Sequence, residues 1–204
     1  MIYKTSKSDS LMKYTKPSQV PQKQLCRYEA DNPDLIWHMN LHHFGGQYLI
    51  AFIDDYSRYV VHHELIPTKD SDVLKTVLEI AIQYHNRPYC IWTDNGTKFK
   101  GHFKEFYDTN GIKIVLTQVK NPQQNGKCER FWSTADNCTT PEELRNWVTV
   151  YNDMPHMGLP QITVEGRKTH MTPIQRYNQG NHWNPTIPPM WTVDGQTKPF
   201  NPPY

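Results

Sequence analysis

The sequence lacks the marks of a secreted or disulfide-bonded protein. Residues 1–20 are polar and contain no apolar segment of the kind found in secretory signals. Its four cysteines are irregularly spaced and form no Cys-x-x-Cys pair, which in a chain of 204 residues favours free thiols in a reducing compartment. They are Cys26, Cys90, Cys128 and Cys138. We therefore expect an intracellular protein, located in the nucleus if its host is a eukaryote.

Long apolar runs and a strong charge of one sign are also missing. No stretch approaches the roughly 20 apolar residues that a membrane-spanning helix needs, so we expect no membrane partner. The chain has 22 lysines and arginines against 20 acidic residues, for a net charge of +2. Because dedicated nucleic-acid-binding domains are strongly basic, any affinity for DNA must come here from local clusters of cations.

The chain does contain an ordered series of strand and helix patterns. Three closely spaced apolar segments predict an antiparallel meander, and strand-helix-strand patterns after it imply parallel pairing. The predicted strands are residues 35–41, 48–53, 59–65, 89–93 and 113–117, and the predicted helices cover about 73–84, 102–109, 127–137 and 141–153. This order predicts an α/β domain.

Composition changes at both ends of the chain. Residues 1–33 contain three prolines and little periodicity, which predicts an extended N-terminal arm. Residues 179–204 are rich in proline, asparagine and tryptophan, which predicts an extended Pro-rich tail. Residues 34–178 between them are expected to form one core domain.

Two acidic motifs stand out within the expected core. Asp94 lies in the segment Trp-Thr-Asp-Asn-Gly-Thr, and Glu129 lies in Pro-Gln-Gln-Asn-Gly-Lys-Cys-Glu-Arg, with 34 residues between the two acids. Each has an ordinary explanation, since Asp-Asn-Gly is a turn signal and an acid in a first helical turn complements the helix dipole. A third segment, Trp-His-Met-Asn, ends at Asn40 on the first predicted strand.

Together these segments resemble the catalytic core of retroviral and retrotransposon integrases and of related insertion-sequence transposases. The resemblance spans about residues 34–178 and includes a late Tyr-Asn-x-x-Pro-His-x-x-Leu motif that starts at Tyr151, followed by Thr172-Pro173. It implies a ribonuclease-H-like fold, with a five-stranded mixed sheet flanked by helices. It also implies metal-dependent DNA cleavage and strand transfer, with DNA and a second copy of the chain as partners.

By this resemblance the catalytic positions are Asn40, Asp94 and Glu129, and the last two are ligands of Mg²⁺ or Mn²⁺. The family carries an aspartate where this chain has Asn40. An amide offers one neutral oxygen, whereas two divalent ions repel each other and need anionic ligands. We therefore expect weak or absent metal binding and absent or severely impaired chemistry. The alternative is a retired core that is retained as a DNA-binding or protein-interaction module.

Polar and basic side chains near the two acids are candidates for DNA binding. Contacts to phosphates would position DNA without reading its sequence. The alternative is a solvated surface with scattered lysines. The candidates are Lys98, Lys100, Lys120, Gln123, Gln124, Asn125, Lys127 and Arg130.

Overall fold

The computed structural model describes residues 28–93, 102–116, 131–133 and 135–200. The strands in this part of the chain are β1 Tyr28–Ala30, β2 Ile36–Phe44, β3 Gln47–Asp54, β4 Val60–Ile66, β5 Cys90–Thr93, β6 Lys113–Leu116, β7 Gln161–Val164, β8 Arg167–His170, β9 Met190–Val193 and β10 Gln196–Pro199. The helices are α1 Ser71–Tyr84, α2 His102–Asn110, α3 Pro141–Asp153 and α4 Pro173–Gln179, and residues 131–133 and 135 are also helical.

A five-stranded mixed sheet forms the centre of the molecule. Its strand order is β4-β3-β2-β5-β6, in which β2, β3 and β4 pair antiparallel, and β5 pairs parallel with both β2 and β6. The predicted five-stranded mixed sheet flanked by helices is confirmed. β2 lies in the middle of the sheet, so its first four residues are buried, as expected for a strand covered on both faces.

A tight turn sets the pairing of β2 with β3. The turn consists of Gly45 and Gly46, whose φ angles are 53° and 84°. Two-residue hairpin turns of this kind require positive φ at both positions, which glycine adopts without strain. The resulting register places Asn40 opposite Ala51.

One face of the sheet is covered by α1 and α2. The buried residues of α1 recur at helical spacing and pack against apolar residues of β2, β3 and β5. The buried members of this cluster are Trp37, Met39, Ile50, Phe52, Val61, Ile66, Leu74, Val77, Leu78, Ala81, Ile91, Tyr107, Ile112 and Tyr177. The opposite faces of β2 and β3 must therefore be covered by the second half of the chain.

Two groups of residues cover that opposite face. Phe131, Trp132 and residues of α3 pack on Leu49, Ala51 and Ile53 of β3, and together they form a second apolar cluster. The three-stranded sheet β1-β9-β10 supplies the other group. Its apolar residues join a third cluster, whose buried members are Ala30, Leu35, Ile36, Cys90, Trp92, Val115, Trp183, Trp191, Val193 and Phe200.

The late motif noted in the sequence has a structural role. The amide of Asn152 bonds both backbone groups of Val60, accepting from its N–H at 2.9 Å and donating to its carbonyl at 3.2 Å. Asn152 thereby fastens the end of α3 to the start of β4. Thr172 and Pro173 begin α4, where the Thr172 side chain accepts a hydrogen bond from the backbone N–H of Gln175 in a capping box.

The two hairpins β7–β8 and β9–β10 lie in segments for which the sequence analysis predicted no strands. Their turns are Glu165-Gly166 and Asp194-Gly195, and all four residues have positive φ. Such acid-glycine pairs are hairpin signals, but the many prolines around β9 and β10 favoured an extended tail. The division into arm 1–33, core 34–178 and tail 179–204 stays a prediction, and strands occur within its outer parts.

The start of α3 permits a stability test. The Thr140 hydroxyl accepts a hydrogen bond from the backbone N–H of Glu143 at 3.2 Å, at the N-cap of this helix. Thr140→Ala should lower the free energy of unfolding by about 0.5–2 kcal/mol, because that N–H loses its partner. Urea unfolding measures the change. Thr76→Ala, the same exchange on the exposed side of α1, should have little effect or stabilise; equal losses would contradict the capping role.

Candidate catalytic site

Asn40 lies in the middle of β2, where the sheet changes from antiparallel to parallel pairing. On one side it pairs with Ala51 of β3. On the other side, the last described pair between β2 and β5 is Met39 with Thr93, one residue before Asn40. Asn40 therefore lies level with the carboxyl end of β5, where open α/β sheets place their binding sites.

The Asn40 side chain is half-buried and already has a hydrogen-bond partner. Its Oδ1 accepts from the backbone N–H of Leu41 at 2.8 Å. Because side chains alternate along a strand, Asn40 shares a face with His38 and His42. This is the face that Phe131 covers next to Ala51.

The other predicted site residues lie outside the described residues, so their arrangement stays a prediction. β5 is described up to Thr93, and the helical segment is described from Phe131. The residues outside are Asp94, Lys98, Lys100, Lys120, Gln123, Gln124, Asn125, Lys127, Glu129 and Arg130.

Asn40 is a poor fit for a position that bridges two metal ions. Mg²⁺ and Mn²⁺ prefer oxygen ligands, and charged carboxylates bind them most strongly. Asn40 offers a neutral oxygen that the Leu41 N–H already occupies. Among the described residues, no group of three His, Cys, Asp or Glu side chains is arranged to hold a metal ion.

His42 links β2 to the helical segment beside it. Its ring stacks on Trp132 with a centroid distance of 5.3 Å and an interplanar angle of 13°. Its Nε2 lies 2.6 Å from the Asp136 carboxylate. The segment that follows Glu129 is thus attached to the strand that carries Asn40. No local pattern predicts this contact, since about ninety residues separate His42 from Trp132.

The sequence of the segment around this site matches a known family. Residues 30–122 match the family model of the integrase core domain. This segment is similar to integrase cores of the retroviral type. The resemblance inferred from the motifs is confirmed.

Retroviral polyproteins are the related sequences. The chain is 29% identical over 137 residues to the Gag-Pol polyprotein of gibbon ape leukemia virus. This match covers 61% of the chain and 8% of the polyprotein. The chain is 24% identical over 194 residues to the Pol polyprotein of feline endogenous virus ECE1, covering 91% of this chain and 18% of that protein. The chain thus spans less than a fifth of these relatives' own length.

Solved integrase structures share the fold. The catalytic core domain of BIV integrase has a TM-score of 0.55 at 20% identity, over 72% of this chain and 95% of that one. The HTLV-2 integrase catalytic core in complex with magnesium has a TM-score of 0.54 at 21% identity. The match covers 72% of this chain and 97% of that one. The predicted ribonuclease-H-like fold is confirmed.

The protein also buries three carboxylates at the end of the sheet where β2 begins. Asp55 bonds the ring of His38 through Oδ1 at 2.6 Å and accepts from the backbone N–H of Ala30 through Oδ2 at 2.8 Å. Both Asp55 and His38 are buried. This pair therefore ties β1 to β2, which is a structural role.

Asp34 is the second of these carboxylates and accepts hydrogen bonds from four side chains. Its Oδ1 accepts from Trp37 Nε1 at 3.0 Å and from the Tyr177 hydroxyl at 2.8 Å. Its Oδ2 accepts from Asn86 Nδ2 at 3.2 Å and lies 2.6 Å from His182 Nδ1. Asp34 thereby joins β2, the end of α1 and the segment after α4. Only the folded chain brings these partners together.

Asp54 is the third carboxylate, and its pKa is strongly perturbed. It accepts hydrogen bonds from the backbone N–H groups of Asp34 and Ser57 and from the Ser57 hydroxyl. Burial, and after it the neighbouring charge of Asp34, raises the pKa of Asp54 to about 7 despite these bonds. Asp54 is thus a buried acid that titrates near neutral pH.

His63 of β4 has a pKa shifted in the other direction. Burial, with smaller effects of His62 and Arg145, lowers the pKa of His63 to about 4. The ring is therefore neutral at physiological pH.

No helix among the described residues is both long and apolar enough to cross a membrane.

Asp54 and His63 predict opposite dependences of stability on pH. Folding raises the pKa of Asp54, so ionisation of this group lowers the free energy of unfolding as pH rises from about 4 to 7. Folding lowers the pKa of His63, so protonation of this group lowers the free energy of unfolding as pH falls from about 6.5 to 4. Asp54→Asn should therefore make the free energy of unfolding fall more on acidification than it does in the wild type. His63→Gln should make it fall less.

Each change should alter the slope by up to about 1.4 kcal/mol per pH unit. Urea unfolding at a series of pH values between these limits measures both slopes. Asp54→Asn also loses an acceptor for the Asp34 N–H, which lowers stability at every pH, so the slope is the quantity to compare. Parallel pH profiles for the two variants would contradict the assignment.

Proposed function

We propose that this chain is the core of a DNA-integration protein of the polynucleotidyl-transferase type. We propose further that its cleavage and strand-transfer chemistry is absent or severely impaired, because Asn40 occupies the first metal-binding position. The observation that carries the proposal is the place of Asn40 in a sheet of the integrase-core type, level with the carboxyl end of β5.

The β2–β5 register supports a meeting of Asn40 with Asp94. Met39 and Thr93 are paired neighbours on parallel strands, and Asn40 and Asp94 follow them in the sequence. Because consecutive Cα atoms lie about 3.8 Å apart, this register is compatible with a meeting of the two residues. Asp94 is the proposed second site residue.

The position of Phe131 supports Glu129 as the third site residue. Phe131 is fully buried in the same cluster as Ala51, the cross-strand partner of Asn40. Glu129 precedes Phe131 by two residues in the sequence, and two residues of chain span at most about 7 Å. Glu129 would therefore start from the face of the sheet on which Asn40 lies.

The donor set explains the expected loss of activity. Of the three proposed site residues, Asp94 and Glu129 would offer carboxylates, and Asn40 would offer a neutral amide. A pair of divalent ions would activate the attacking oxygen and stabilise the leaving one. With Asn40 in place, the mutual repulsion of two such ions is less well offset, so we expect weak metal binding.

DNA and a second copy of the chain are the proposed partners. The proposed phosphate contacts are Lys98, Lys100, Lys120, Gln123, Gln124, Asn125, Lys127 and Arg130. Two observations on relatives support these partners. The HTLV-2 integrase core has been solved in dimeric and trimeric forms, and the simian T-cell lymphotropic virus intasome has a TM-score of 0.57 at 20% identity, over 77% of this chain and 60% of that one.

Asn40→Asp is the decisive substitution. The two side chains are nearly isosteric, and a carboxylate can keep the hydrogen bond from the Leu41 N–H. We expect tighter binding of Mg²⁺ or Mn²⁺ by calorimetry, whereas the parent chain should show little or no strand transfer with either ion. Asn178→Asp adds the same charge at an exposed position of α4 and should leave metal binding unchanged.

Three outcomes would count against this assignment. Full strand transfer by the parent chain would mean that Asn40 does not impair the site. Unchanged metal affinity in Asn40→Asp would mean that the site has decayed beyond one residue. A gain that survives when Asp94→Asn is added would mean that the metal binds elsewhere.

The second candidate function is a retired core kept as a DNA-binding or protein-interaction module, and the amide at Asn40 favours it. The parent chain should then bind duplex DNA without cutting it. Each phosphate contact should contribute about −0.9 to the slope of log affinity against log salt. A gel-shift titration across salt concentrations measures this slope. Absence of binding at low salt would leave only the protein-interaction role.

A further inference from the structure

The hairpin of β7 and β8 is attached to the core at its base, and most of its residues are exposed to solvent. Of the ten residues 161–170, seven are exposed and three are half-buried. Its base is anchored to the core by buried Leu159 and Met171, and the Met171 N–H donates to the carbonyl of Pro160 at 2.9 Å. Its strands pair only with each other among the described residues. We call residues 161–170 the ribbon.

The register of the ribbon divides its side chains into two faces. Gln161 pairs with His170, and Thr163 pairs with Lys168, so these four side chains lie on one face. The 3.4 Å separation between Gln161 Nε2 and His170 Nε2 agrees with this assignment. We call these four residues the polar face. It contains hydrogen-bonding groups and a cation but no carboxylate.

The opposite face is different in character. It carries the paired residues Ile162 with Thr169 and Val164 with Arg167. Ile162 and Thr169 are half-buried, so the root of this face lies toward the body of the protein. On the polar face Gln161, Thr163 and Lys168 are exposed, whereas His170 is half-buried and its Nδ1 lies 2.7 Å from the Leu159 carbonyl.

We infer that the polar face of the ribbon is a contact surface for duplex DNA. A two-stranded ribbon is one of the shapes that the major groove, about 12 Å wide, admits. Strands of four residues at about 3.3 Å per residue, lying about 4.8 Å apart, have suitable dimensions. Lysine, glutamine and threonine side chains bind phosphates and base edges. The inference rests on the proposed function, which supplies DNA as the partner.

The charge of the ribbon supports an anionic partner. Arg167 and Lys168 are exposed, and neither makes an ion pair with another described residue. The one acid of the ribbon, Glu165, lies in the turn and not on the polar face. Lys168 is therefore an exposed cation on the polar face, and Arg167 adds a second exposed cation on the opposite face. The ribbon follows α3 and is distinct from the residues predicted to contact DNA, which lie between Lys98 and Arg130.

Lys168→Ala tests the inference, with Lys198→Ala as its matched control. Lys198 is exposed on a strand of the other hairpin, β10, so its removal changes the net charge equally. Loss of one phosphate contact should reduce the steepness of the salt dependence of DNA binding by about one unit for Lys168→Ala. Lys198→Ala should keep the parent slope. Fluorescence anisotropy with duplex DNA at a series of salt concentrations measures both.

Charge reversal strengthens the comparison. Lys168→Glu should weaken binding more than Lys168→Ala does, and Lys198→Glu should have a smaller effect than Lys168→Glu. Both positions are exposed, so circular dichroism should show parent-like folding in all four variants.

The outcomes separate this inference from the proposed function. If the parent chain binds DNA and Lys168→Ala keeps the parent slope, the ribbon is not a DNA surface and the proposed function is unaffected. Equal effects of the two lysines would reflect net charge alone and would also overturn the ribbon surface. If the parent chain binds no duplex DNA at low salt, both the inference and the DNA-binding part of the proposed function fail.

Discussion

The parallel pairing of β2 with β5 is the constraint on which the rest of the structure depends. It places two buried strands side by side, with Ile36 opposite Cys90 and Met39 opposite Thr93. Such pairing needs a crossover connection, and α1 fills that role by covering one face of the sheet. The other face is then left for the second half of the chain. The same pairing brings Asn40 level with the carboxyl end of β5, so the architecture and the candidate site have one cause.

At the other end of β2 a network of buried polar groups closes the molecule. Asp34 and Asp55 are buried, and each is held by side chains or backbone groups from distant segments. Burying a carboxylate is costly unless it is hydrogen-bonded, and Asp34 has four side-chain partners. The network therefore fixes the segment after α4 against the start of β2. These acids have structural partners from distant segments, whereas the described partner of the Asn40 side chain is the adjacent Leu41 N–H.

Much of the fold could be predicted because local patterns were consistent with it. Each of the five predicted strands of the central sheet is present, and α3 has the predicted bounds of residues 141–153, with Thr140 as its cap. The ribbon and the β9–β10 hairpin were not predicted. The Gln-Ile-Thr-Val alternation of β7 covers only four residues, and β8 reads Arg-Lys-Thr-His with no apolar residue, so the strand pattern is weak in both. β9 lies among prolines, and its pairing with β1 joins residues more than 150 positions apart.

The sequence by itself determined the family resemblance, the order of the five central strands, and the amide at position 40. These depend on residue types and on spacings along the chain, which can be read without coordinates. Only the tertiary structure decided that Asp34 bonds His182, that His42 stacks on Trp132, and that the ribbon presents a face without acids. Such contacts depend on strand order and register. Residues that are far apart in sequence become neighbours only when the sheet has formed, so no local pattern encodes them.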